Sequence, residues 1–190
     1  IAVGAPGAFG SGVVYVYDKP ITRWATSTEL NYLYATGSGL GDYFGASLDM
    51  TKTGIIYEHI VVGAPNFGAG DTGRAYVYYG NATTWPPSGG IQDAILNITA
   101  PTDSLNFGAA VAVSDSVIIV GASNSKSTGT GSAFFYNKPL IGGWVDTTES
   151  GALIQTDGFN NDAFGLALAT ASDKILVGSY KDDDMGLWSG

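Results

Sequence analysis

The chain has 190 residues, with eight Lys and Arg against seventeen Asp and Glu, and a net charge of −9 at pH 7. That balance excludes a DNA- or RNA-binding surface, which needs a basic stripe, and the 45% apolar content excludes a disordered acidic tail. Zero cysteines exclude disulfide frameworks, thiolate zinc sites and thiol nucleophiles but leave the compartment open, because a large enough core needs no staples.

In chain order, an apolar run Ile1-Ala2-Val3 leads into Gly4-Ala5-Pro6, with no initiator Met and no signal peptide. The other end, Trp188-Ser189-Gly190, has no tail, and both ends read as cuts through an element of a longer protein. Val13-Val14-Tyr15-Val16-Tyr17 follows, then Trp24, then the apolar stretch Leu30 to Tyr34. Phe44-Gly45 opens Ala46-Ser47-Leu48, and His59-Ile60-Val61-Val62 runs into Gly63-Ala64-Pro65. From there the order repeats. Arg74-Ala75-Tyr76-Val77-Tyr78-Tyr79, Trp85 and Ile95-Leu96-Asn97-Ile98 precede Phe107-Gly108, Ala109 to Val113, and Val117-Ile118-Ile119-Val120 ending on Gly121-Ala122-Ser123. Ser132 to Tyr136, Trp144 and Leu153-Ile154 then precede Phe164-Gly165, Leu166 to Ala169, Ile175-Leu176-Val177 and Gly178-Ser179-Tyr180, with Leu187-Trp188 starting the next stretch.

The period is close to 60 residues, since Gly4, Gly63, Gly121 and Gly178 are separated by 59, 58 and 57. Each period holds four short stretches rich in Val, Ile and Tyr, bounded by Gly, Asp, Asn and Pro, and no segment shows a sustained 3.6-residue pattern. The prediction is all-β. The stretch before each Gly-Ala-Pro is apolar on both faces, so it predicts a strand in a sheet buried on both sides. Four strands in a tandem period of this length favour propeller blades over a solenoid, whose coils run to about 20–30 residues.

The order Phe-Gly, Gly-Ala-Pro, Gly-x-x-Tyr-Val-Tyr resembles the FG-GAP repeat of integrin α-subunits and of many secreted microbial and algal proteins, over essentially the whole chain. The resemblance implies a β-propeller of four-stranded antiparallel blades in which Phe-Gly opens the innermost strand and Gly-Ala-Pro closes the second. It implies a partial blade at 1–36 (strands two to four), full blades at 37–99 and 100–156, and a partial blade at 157–190 (strands one to three). Rings of this family usually close with seven blades, so three and a half would be part of a larger ring.

Many such blades hold calcium between strands one and two, where six to eight hard oxygens surround the ion. The corresponding segment here runs from Asp49 to Glu58 and keeps Asp49 and Gly54, but has Thr51, Thr53 and Tyr57 where acids are expected, and adds Lys52. The later turns, Ser114-Asp115-Ser116 and Ala171-Ser172-Asp173-Lys174, offer too few ligands for a cage. No metal site or other cofactor is expected, with Asp49 and the run Asp182-Asp183-Asp184 as the weak candidates. That run reads as a solvated loop before a cation site.

His59 beside Glu58 has the look of half a catalytic dyad, yet neighbours along a strand point to opposite faces, and no Gly-x-Ser-x-Gly elbow exists. The reading is a strand-end histidine, and no enzyme emerges. Trp24, Trp85 and Trp144 offer flat faces for sugar stacking, but their shared phase favours packing at a blade boundary. Asn81-Ala82-Thr83 and Asn97-Ile98-Thr99 are glycosylation sequons. The expected function is a non-enzymatic extracellular or cell-surface module for adhesion or structural assembly. Its partners would be other protein chains or the rest of its own propeller, with no nucleic acid and no membrane span. A carbohydrate-binding propeller, or a propeller scaffolding an enzyme domain elsewhere in the parent chain, are the alternatives.

Overall fold

A computed structural model describes residues 1–17, 23, 26, 28–53, 57–81, 90–123, 129–171 and 174–182. Among these the only helical element is a single 3-10 turn, Ala8–Gly10, and the rest of the regular structure is strand. Sheet 1 orders β1 (Ala2–Ala5), β2 (Val13–Val16) and β3 (Asn31–Leu33). Sheet 2 contains β4 (Ser47–Thr53), β5 (Tyr57–Ala64), β6 (Arg74–Asn81) and β7 (Ala94–Asn97). Sheet 3 contains β8 (Phe107–Val113), β9 (Val117–Ala122), β10 (Ser132–Asn137) and β12 (Gly151–Leu153), and sheet 4 pairs β13 (Ala167–Ala171) with β14 (Lys174–Gly178). Each of these neighbours is antiparallel to the next. The all-β architecture of antiparallel meanders fits a propeller-like fold.

The two-residue period of a strand places consecutive apolar residues on opposite faces, which is why Ile60–Val62 of β5 and Val117–Val120 of β9 can serve two sides of their sheets. Val61, Ala75, Val77, Ala94 and Leu96 of sheet 2 pack against Phe107, Val111, Ile118 and Val120 of sheet 3. The alternate residues Ile60, Val62, Tyr76 and Tyr78 turn the other way, onto Val14, Val16 and Leu33 of sheet 1. Ile60, Val61 and Val62 are all fully buried, and each such side chain contributes about 1.5–3 kcal/mol relative to exposure. One strand therefore serves two cores.

Phe44 lies edge-on to Tyr76 and Tyr78 of its own sheet at 5.6 and 6.0 Å, and Phe107 repeats this with Phe134 and Tyr136 at 5.8 and 6.4 Å. Phe164, at the same place in the repeat, is only half-buried. Leu187 and Trp188, expected to start the next stretch of that repeat, lie outside the described residues.

Two expectations need correction. The blades were expected to be purely antiparallel and four-stranded, whereas sheet 2 carries a fifth, outer strand, β11 (Thr147–Thr148), running parallel to β7. Further, Asp49 to Thr53 was expected to form a loop, but β4 continues through Thr53 and pairs with β5 from Ser47↔Gly63 to Thr53↔Tyr57. β-branched Thr51 and Thr53 suit a strand better than an ion-binding turn.

Candidate functional site

The repeat motif does its work at the seams between sheets. The Gly-Ala-Pro glycine of one sheet lies against the Phe-Gly glycine of the next: a Cβ on Gly4 would overlap the carbonyl oxygen of Gly45, on Gly63 that of Gly108, and on Gly121 that of Gly165. Within a sheet, the amide of Gly45 donates to the carbonyl of Gly63 and that of Gly165 to Gly178, both at 3.0 Å. A third glycine completes the seam. Gly12, Gly73 and Gly131 form single parallel bridges to Phe44, Phe107 and Phe164, and φ values of 99°, 85° and 91° are open to glycine at little cost. Ala5, Ala64 and Ala122 end their strands beside these contacts, and Pro6 and Pro65 leave the ladder where no donor is required.

Polar side chains serve the same seams. Ser47 Oγ donates to the Gly108 carbonyl at 2.7 Å, and Thr170 Oγ1 to the Val113 carbonyl at 3.1 Å. Asp49, the calcium candidate, accepts the Val113 amide on one oxygen at 2.8 Å and the Met50 amide on the other at 2.9 Å. Its oxygens thus hold two backbones, and the segment's residues do not fit a calcium cage. Among the described residues no three acidic or imidazole side chains converge on a point that could take a metal. Asp182 accepts Gln155 Nε2 at 2.6 Å, and Asp183 and Asp184 lie outside the described residues.

Two carboxylates missed in the sequence stand just ahead of Phe-Gly. Asp42 and Asp162 are 8% and 2% exposed, and each takes the amide three residues back, Gly39 at 2.5 Å and Phe159 at 2.6 Å. Their signal was the shared spacing Asp-x-Phe-Gly, which Leu105 interrupts in the third sheet. They are turn-closing groups.

A second construction closes the outer rim. The connection between β10 and β12 reaches back onto sheet 2, where Trp144 is 3% exposed in the core shared by sheets 2 and 3. Beyond it, Asp146 accepts the Ile95 amide at 2.8 Å, Thr147–Thr148 pair with Leu96–Asn97, and Glu149 accepts the Thr99 amide at 2.9 Å. An exposed strand edge invites unwanted pairing, and this strap covers it. The preceding sheet does the same to sheet 1, since Gly90 accepts the Tyr34 amide and Gln92 the Thr36 amide, both at 3.0 Å. A tyrosine rivet repeats with it: Tyr78 donates to the Tyr34 carbonyl at 2.9 Å, and Tyr136 to the Asn97 carbonyl at 2.6 Å.

Asn97 is half-buried beside this strap, and Asn81 ends β6 with a side chain outside the described set. Trp24 and Trp85 also lie outside it.

His59 was expected at a strand end, but it is the third residue of β5 and 3% exposed, stacked edge-on to Tyr79 at 4.8 Å. Burial, helped by the Lys138 ammonium and opposed by the Asp115 carboxylate, lowers its pKa to about 4. The unfolded value is near 6.5, so the unfolded chain binds more protons between those values and stability must fall as pH falls. The contribution is fully present above about pH 6.5 and is lost by about pH 4, a change on the order of 3 kcal/mol. Urea titrations across that window should show His59→Phe flattening the slope. An unchanged slope would place the titration elsewhere.

Beyond the Gly-Gly seams and the straps, a cleft of about 360 Å³ lies where Phe135, Asn137 and Leu153 of sheet 3 face Lys174 and Ile175 of sheet 4. Antiparallel sheets stacked through repeated glycine contacts fit a propeller-like repeat fold. The family model for the FG-GAP repeat matches residues 147–190. No curated protein matches the chain. No helix among the described residues is long and apolar enough to cross a membrane.

Proposed function

We propose that this chain is part of a non-enzymatic, extracellular β-propeller that acts through protein–protein contacts, in adhesion or in the structure of a surface assembly. The observation that carries the reading is how the polar groups are used. Asp42, Asp49, Asp146, Asp162 and Glu149 each hold backbone amides, so the acidic side chains best placed for chemistry are engaged in architecture. The FG-GAP match at 147–190 supports a propeller-type interaction module, and the repeated seams support a ring of such sheets, seven in the family's usual form. Sugar binding is the weaker reading, because the indole of Trp144 is buried.

Labelling intact producing cells with a membrane-impermeant amine reagent, followed by cross-linking, tests the proposal. The protein should be labelled without lysis and cross-linked to other proteins or to further sheets of its own ring. Labelling only after lysis would overturn the location, and saturable binding on a glycan array would favour the sugar-binding alternative. Light scattering adds a check on the ring. Faces with Val3 46% and Leu176 55% exposed should drive the isolated 190-residue chain to associate, and a monodisperse monomer would show that the sheets stand without further partners.

A further inference from the structure

The outer edges of sheets 1 and 2 are each closed by a strap, but among the described residues nothing pairs with the outer side of β12. Beside that edge lies the cleft lined by Ser116, Val117, Phe135, Asn137, Leu153, Lys174 and Ile175. Strand register shows what these positions are. Ile60 pairs with Tyr78 as Ile118 pairs with Tyr136, and Ala75 pairs with Leu96 as Ala133 pairs with Leu153. One repeat earlier, therefore, Phe135 corresponds to Val77, Asn137 to Tyr79, Leu153 to Leu96, and Ile175 to Ile118. Val77, Leu96 and Ile118 belong to the core that buries Trp144, and Tyr79 packs against it with its hydroxyl beside Gly143. The cleft is thus the equivalent, one repeat on, of the socket that holds Trp144.

We propose that this cleft and the β12 edge form a docking site for an extended, tryptophan-bearing strap from another sheet of the same repeat type. The indole enters between Phe135, Leu153 and Ile175, and the segment after it adds in parallel to β12. A carboxylate two residues beyond the Trp takes the outward Ala152 amide, as Asp146 takes that of Ile95. Backbone pairing supplies affinity and the indole supplies register, which is the logic of strand addition. The inference rests on the propeller reading but not on where the protein resides or whom it meets outside its ring.

The probe is a capped peptide copying residues 142–150, Gly-Gly-Trp-Val-Asp-Thr-Thr-Glu-Ser, titrated into the 190-residue chain to about 2 mM, a range suited to weak strand-addition contacts. Amide NMR signals of Asn137, Ala152 and Ile175 should shift saturably. Replacing the peptide's Trp by Ala should weaken binding at least tenfold, as should Asn137→Trp in the protein, which fills the cleft from its exposed rim. Absence of saturable shifts, or binding indifferent to either change, overturns the proposal. Peptide binding without any surface partner on cells would sink the adhesion reading while leaving this site standing, and the converse result would do the opposite.

Discussion

Gly121→Ala should destabilise the protein by about 3 kcal/mol or more, at the upper end of overpacking costs, although it adds one methyl group. That methyl would overlap the Gly165 carbonyl oxygen, which belongs to backbone and cannot rotate away. Relief requires sheets 3 and 4 to separate along their length, with loss of the packing between them. Gly63→Ala should behave alike, because its Cβ would overlap the Gly108 carbonyl. Gly7→Ala is the control: no described residue lies within 4 Å of a Cβ there, so the change should stay within about 0.5 kcal/mol. Gly178→Ala should also be mild, since among the described residues its Cβ would meet only Ala167, at 3.1 and 3.6 Å. Urea midpoints for the four variants test the idea. Equal losses at Gly7 and Gly121 would mean that the glycines act through chain entropy and not through the seam.

Trp144→Ala should cost about 3–5 kcal/mol, the usual range for a buried large aromatic. The indole is 3% exposed and ties a loop of sheet 3 into the core it shares with sheet 2. Its Nε1 has no hydrogen-bond partner among the described residues, so Trp144→Phe removes no such bond and should cost much less, about 1–2 kcal/mol of lost apolar area. Losing the anchor should also free the strap. Hydrogen exchange at the Ile95 and Thr99 amides, held by Asp146 and Glu149, should accelerate more than exchange at Val61 in the centre of the sheet. Uniform acceleration would indicate global unfolding alone, and a loss below about 1 kcal/mol would show that the indole is not an anchor.

Much of this architecture was legible in the residues. The phase of Phe-Gly and Gly-Ala-Pro, the short Val- and Tyr-rich stretches, and the doubly apolar second strand all point to tandem antiparallel sheets. Strand period and glycine punctuation are local properties, so a single pass along the chain finds them. What escaped was the partner of each local feature. Gly63 and Gly108 are 45 positions apart and meet only because two sheets stack. Asp49 matched the opening of a calcium loop, but its segment continues as strand and its carboxylate reaches Val113 in the next sheet.

Composition, period and punctuation by themselves determined that this is an all-β repeat protein without thiol chemistry, with motif glycines recurring about every 58 residues. Only the tertiary structure decided that those glycines contact the neighbouring sheet, that His59 is buried under Tyr79, and that a loop carrying Trp144 closes the rim of the sheet before it. The physical reason is one of range. Strand propensity and turn chemistry act within a few residues, whereas seams, sockets and straps arise from contacts between segments roughly one repeat apart, which no local pattern encodes.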